Sequence, residues 1–92
     1  MYNVVLSKNF KKDLKLAKKN NYNLDLLDNV VEKIASGKKL EEKYKDHALK
    51  GDFIGFRECH IQPDWLLIYK IEKNDLILFL FRTGSHSNLF KK

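Results

Sequence analysis

The chain has 92 residues, 43% of them hydrophobic, and a formal net charge of +6. That length suits one domain, residues 1–92, around one modest core. Its lone cysteine, Cys59, cannot close an internal disulfide, which excludes a stapled secreted fold, and the lack of a signal-type apolar segment or a membrane-length run leads us to expect a cytoplasmic protein with no membrane partner.

The charge is unevenly spread. Residues 1–50 hold twelve Lys against seven acidic residues, whereas residues 51–92 hold six Lys and Arg against five. A basic first half suits a polyanionic partner, most often nucleic acid, although a solvated lysine-rich surface is an equally good account of charge alone. The two arginines, Arg57 and Arg82, both fall in the second half. Arginine is the better fork for phosphate, so these two carry more information than the sixteen lysines.

In chain order, the apolar, β-branched run Tyr2 to Leu6 predicts a first strand. Ser7 is a good helix cap, and Phe10, Leu14 and Ala17 mark one face of a helix to about Asn20. Asn23 can cap a second helix to about Ser36, with Leu27, Val30, Val31 and Ile34 at helical spacing and Gly37 just past its end. A charged connector follows, with room for one helical turn at residues 40–44. Phe53 to Gln62, Trp65 to Glu72 and Leu76 to Arg82 predict three strands, joined by Pro63-Asp64 and Lys73-Asn74-Asp75 turns. The last two are apolar on both faces and should lie inside the sheet. Gly84 ends the third, leaving residues 85–92 as a tail. The class is α+β: two N-terminal helices packed on a mostly antiparallel four-stranded sheet.

The three histidines, His47, His60 and His86, all fall beside strand ends or turns. Imidazole changes charge near neutral pH, so it can give or take a proton with little tuning. Two imidazoles, a carboxylate such as Asp64 and an arginine would suffice to cleave RNA, whose 2′-hydroxyl supplies the nucleophile. Each residue also has a plainer reading. His47 can be a loop histidine satisfied locally, and His60 can be half of an ion pair with Glu58 on the same strand face. Asp64 can be an ordinary Pro-Asp turn residue, Phe90 can pack on the core edge, and Glu58 can pair with Arg82 across strands. No short histidine spacing suggests a metal site, and no phosphate loop or cofactor motif is present, so neither metal nor cofactor is expected.

Four segments carry more than their parts: Asp46-His47-Ala48-Leu49-Lys50-Gly51, Phe56-Arg57-Glu58-Cys59-His60-Ile61, Pro63-Asp64-Trp65-Leu66-Leu67-Ile68-Tyr69 and Arg82-Thr83-Gly84-Ser85-His86-Ser87-Asn88-Leu89-Phe90. Together they closely resemble the YafQ family, toxins of type II toxin–antitoxin systems in the RelE/ParE superfamily. The resemblance implies a RelE-like fold and a ribosome-dependent endoribonuclease, an mRNA interferase that cuts message in the ribosomal A site and inhibits translation. It implies a DinJ/RelB-like antitoxin as partner, with operator DNA reached only through that antitoxin. By the same resemblance His86, His60, Asp64 and His47 are catalytic. Arg82 holds the phosphate, Phe90 stacks on or positions a base, and Lys50 and Glu58 are accessory. A ParE-like poison of gyrase and a module acting with an antitoxin on operator DNA are the alternatives.

Overall fold

The computed structural model describes residues 1–90. Strand β1 (Asn3–Leu6) is followed by helices α1 (Lys8–Lys19) and α2 (Leu24–Ala35), then β2 (His47–Ala48), β3 (Arg57–Gln62), β4 (Trp65–Glu72), β5 (Ile77–Gly84) and a short helix α3 (His86–Leu89). The sheet has five strands in the order β1-β5-β4-β3-β2. β1 runs parallel to β5 and every other pair is antiparallel.

The expected class holds and three details change. The sheet gains a fifth strand, because His47–Ala48 pairs with Arg57 and Glu58 of β3. The strand expected from Phe53 begins only at Arg57, because residues 51–53 form a 3₁₀ turn. The segment expected as a tail contains α3, while residues 91 and 92 lie outside the described residues.

Local chemistry accounts for the helices. Ser7 Oγ accepts from the Phe10 N–H at 2.9 Å and donates to the Phe81 carbonyl at 2.6 Å, so one hydroxyl caps α1 and fastens it to β5. Asn23 caps α2 by accepting from the Asp25 N–H. The apolar faces of both helices lie on one side of the sheet, where Phe10, Leu27, Val30 and Ile34 pack against Cys59, Trp65, Leu67, Tyr69, Leu78 and Leu80.

β4 is buried on both faces. Trp65, Leu67 and Tyr69 face the helices, while Leu66 and Ile68, at 0% and 1% exposed, point the other way. That second face carries a run of neighbouring rings: Phe79 against Phe81, Phe81 against Phe53 and Phe56, and Phe53 against Phe90. At the start of β4 the Trp65 indole N–H donates to Thr83 Oγ1, whose own hydroxyl donates to the Leu66 carbonyl, so β4 and β5 are also tied through side chains.

Cys59 sits in the middle of the core with no exposed surface. Burial pushes its thiol up to about 12, so the reactive thiolate is scarce as well as inaccessible. Iodoacetamide at neutral pH should therefore leave the native chain unmodified and label it fully in guanidinium chloride; rapid native labelling, read by mass spectrometry, would contradict this packing.

Candidate active site

The strand register assembles the site. His47 on β2 stands opposite Glu58 on β3, and His60 on β3 stands opposite Leu66 on β4. Leu66 in turn stands opposite Gly84 at the end of β5, and the chain then turns into α3, which begins at His86. The turn uses Gly84 at φ +153°, where an added Cβ would lie 3.4 Å from the Leu89 side chain. Ser85 caps α3 by accepting from the Asn88 N–H at 3.2 Å.

Three imidazoles and two carboxylates are thereby linked in one strip. His47 Nε2 is 3.3 Å and His60 Nε2 is 3.8 Å from the same oxygen, Glu58 Oε2. The His60 and His86 ring centroids are 5.9 Å apart. His86 Nδ1 and its backbone N–H each lie 3.3 Å from Asp64 Oδ1. Glu58 is 6% exposed, whereas His47, His86 and Asp64 are exposed and His60 is half-buried. A buried carboxylate needs partners to offset its lost hydration, and the two imidazoles are the partners available.

The ring nitrogens differ in freedom. His47 Nδ1 donates to the Lys45 carbonyl at 2.7 Å, and Lys45 presents that carbonyl from a left-handed backbone, φ +49°. His60 Nδ1 lies 3.3 Å from the Pro63 carbonyl. His86 Nδ1 faces Asp64, and among the described residues its Nε2 has no hydrogen-bond partner. The pair has the form in which a carboxylate orients an imidazole and leaves the far nitrogen for proton transfer. Donation from the His86 backbone, then from its ring, holds the Asp64 carboxyl below its usual value.

The other expected members divide. Phe90 is 5.7 Å from the Phe53 ring and 6.3 Å from His86, centroid to centroid, so it packs on the aromatic layer and also borders the strip. Lys50 is exposed at the corner after β2 and has no ion-pair partner among the described residues. Arg82 does not pair with Glu58. Its Nε and Nη2 form a fork on Asp13 of α1 at 2.7 and 3.1 Å, and Asp13 also accepts from the Thr83 N–H at 3.0 Å. Proximity to Asp13 raises the already high affinity of Arg82 for its proton, so it stays a cation in this pairing.

Two supports escaped the sequence reading. One is this Asp13–Arg82 clamp, which fixes the end of β5 just before α3. The other is Asp46, beside His47, whose carboxylate accepts from Arg57 Nε and Nη2 at 3.2 and 3.0 Å and from the buried Tyr69 hydroxyl. Ions and hydroxyls paired across 11 to 69 positions leave no periodicity to read.

Residues 2–91 match the family described as "Bacterial toxin of type II toxin-antitoxin system, YafQ". The chain belongs to this family. It is 39% identical over 82 residues to the mRNA interferase toxin YafQ of Escherichia coli K12, covering 88% of this chain and 87% of that protein. A metal-bound toxin from Helicobacter pylori superposes with a TM-score of 0.93 at 52% identity, covering 98% of this chain and all of the other. A YafQ chain in a crystal structure of the E. coli DinJ–YafQ complex superposes with a TM-score of 0.87 at 37% identity, covering 98% and 99%. Two imidazoles and a carboxylate are donors that suit zinc or copper. As placed, however, no three His, Cys, Asp or Glu side chains among the described residues form a metal-holding group.

Two outcomes follow from the supports. Asp46→Ala strands the buried Tyr69 hydroxyl and should cost about 1–3 kcal/mol, read as a lower guanidinium midpoint. For Asp64 the folded carboxyl lies below its ordinary 3.8. Its contribution to holding α3 is therefore fully present above that ordinary value and is lost as pH falls through the lower folded one. Asp64→Asn should flatten this acid limb of an α3 melting profile followed by NMR, and an unchanged limb would contradict the pairing.

Proposed function

We propose that the chain is a cytoplasmic endoribonuclease toxin that cuts messenger RNA in the ribosomal A site and is neutralised by a DinJ-like antitoxin, through which alone it meets operator DNA. The observation that carries this reading is the strip itself: His86 bears a free, carboxylate-oriented nitrogen within 5.9 Å, ring to ring, of a second imidazole. Two such groups on either side of a phosphodiester are the minimum for moving a proton in and a proton out.

In this mechanism His60 takes the proton of the 2′-hydroxyl, and the 2′-oxygen forms a bond to phosphorus. The bond from phosphorus to the 5′-oxygen breaks, and His86 Nε2 gives its proton to that oxygen. The products are a 2′,3′-cyclic phosphate and a 5′-hydroxyl end. The contact from His60 Nε2 to Glu58 is 3.8 Å, longer than a hydrogen bond, so the carboxylate does not fix a proton on that nitrogen, yet it is close enough to stabilise the imidazolium that forms. Asp64 orients His86, because a carboxyl whose anion is stabilised is a poor proton donor and a weakened base. His47, on the far side of Glu58, adds a second imidazole to that carboxylate.

Lys50, unpaired among the described residues, supplies positive charge for the RNA backbone, and Phe90 offers a ring beside His86 for a base. Arg82 can reach a phosphate only with the guanidinium edge that Asp13 leaves open; its main service is to hold the strand end that presents His86. The lysines of α1 form a basic surface suited to ribosomal RNA, which makes activity steeply salt-dependent.

The test is a translation reaction with purified chain, in which message ends are mapped with and without ribosomes. The parent should cut message only when ribosomes are present. His86→Ala should cut about 10²–10⁴-fold more slowly with an unchanged unfolding midpoint. Parent-like cutting by that variant would remove His86 from the chemistry.

A further inference from the structure

A cleft of about 470 Å³ opens beside His60 and the β3–β4 turn, and His86 is not part of its lining. Its floor is apolar: Leu26 of α2, Ile61 and Pro63. Its rim carries Lys43, Lys45 and Gln62. Among the described residues no carboxylate lines it, so its permanently charged lining groups are the ammonium ions of Lys43 and Lys45. The neighbouring acidic residues are Glu41, which pairs with Lys33, and Glu42; both lie outside this lining.

Neither rim lysine pairs with a carboxylate among the described residues. Lys43 Nζ sits 5.2 Å from the Tyr44 ring centroid, a cation–π contact that keeps the ammonium at the mouth. The register shift between His60 and Gln62 is a bulge, which re-aims the end of β3 so that both His60 and Ile61 border one space. Gln62 is exposed, and among the described residues its carboxamide has no protein partner. An apolar floor, a cationic rim and one free amide with both donor and acceptor capacity suit a nucleobase attached to a phosphate.

We propose that this cleft seats the base of the nucleotide adjoining the scissile phosphodiester, with Lys43 and Lys45 on its backbone and the Gln62 carboxamide on its hydrogen-bonding edge. The inference rests on the ribonuclease reading for its substrate class and names Gln62 as a residue that sets cutting preference. His60 belongs to both spaces, so a base in the cleft leaves its phosphate at the acid–base strip.

Two measurements test it. In the first, AMP, GMP, CMP and UMP are titrated separately into the isotopically labelled full chain, with inorganic phosphate as control. The Gln62 side-chain amide and the Leu26 and Ile61 methyl signals should move with at least one nucleotide and stay still with phosphate. In the second, Gln62→Ala and the double variant Lys43→Gln/Lys45→Gln are compared with the parent in the ribosome reaction. Gln62→Ala should raise KM about tenfold and redistribute the cut positions, while kcat changes little. Nucleotide-induced shifts confined to residues outside the cleft would overturn the proposal, as would parent cut positions and KM in both variants. If the parent itself fails to cut message, the ribonuclease reading fails, and the nucleotide titration alone then decides whether the cleft binds a base.

Discussion

The candidate site depends on the register of one strand. Leu66 of β4 has His60 on one side and Gly84 on the other, so both flanking strands measure their positions from it. Side chains alternate across a strand with period two. A slip of one residue would turn His60 and Glu58 towards the helices and bring Cys59 out to the open face. What forbids the slip is the burial of β4 on both faces, since Trp65, Leu67 and Tyr69 are committed to the helix-side core and Leu66 and Ile68 to the other side. The Trp65–Thr83–Leu66 hydrogen bonds lock the same register through polar groups at the end nearest His86.

On that frame the electrostatics are economical. Glu58 is the buried charge of the strip, and it serves two imidazoles through one oxygen. Its burial keeps water from screening it, so each ring feels its charge more strongly than it would at the surface. Asp64 is the opposite case: it is exposed, and it acts through direct donation from His86 rather than through a low dielectric. The two carboxylates therefore differ in kind, one buried and shared between His47 and His60, the other exposed and fixing the direction of a single ring.

Much of this was legible in the sequence, and the parts that were not share a cause. Helical spacing located α1 and α2, and their caps, Ser7 and Asn23, are as expected. Continuous apolar runs bounded by turn residues located β4 and β5. The strand β2 escaped because a two-residue strand has no period to detect, and His47–Ala48 is a strand only because β3 offers it an edge. α3 escaped because four residues are too few for an apolar stripe, although Ser85 in front of them is an ordinary cap. The fork of Arg82 on Asp13 escaped because its partner lies 69 positions away. For the histidines, the sequence could place each beside a strand end; only the fold shows that the three strand ends meet.

The Asp13–Arg82 pair links the basic helix to the chemistry. α1 carries its lysines outward and turns its one acidic residue, Asp13, inward to the end of β5. A fork on a carboxylate fixes direction as well as distance, and here a third donor, the Thr83 N–H, shares the same oxygen as Arg82 Nε. Thr83 is also the residue that ties β5 to Trp65 and Leu66, so helix, strand end and central strand meet at one point, three residues before His86. A short helix such as α3 has little cooperativity of its own and takes its position from its attachments. The precision with which His86 faces His60 is therefore set by a polar junction on the helix side of the sheet.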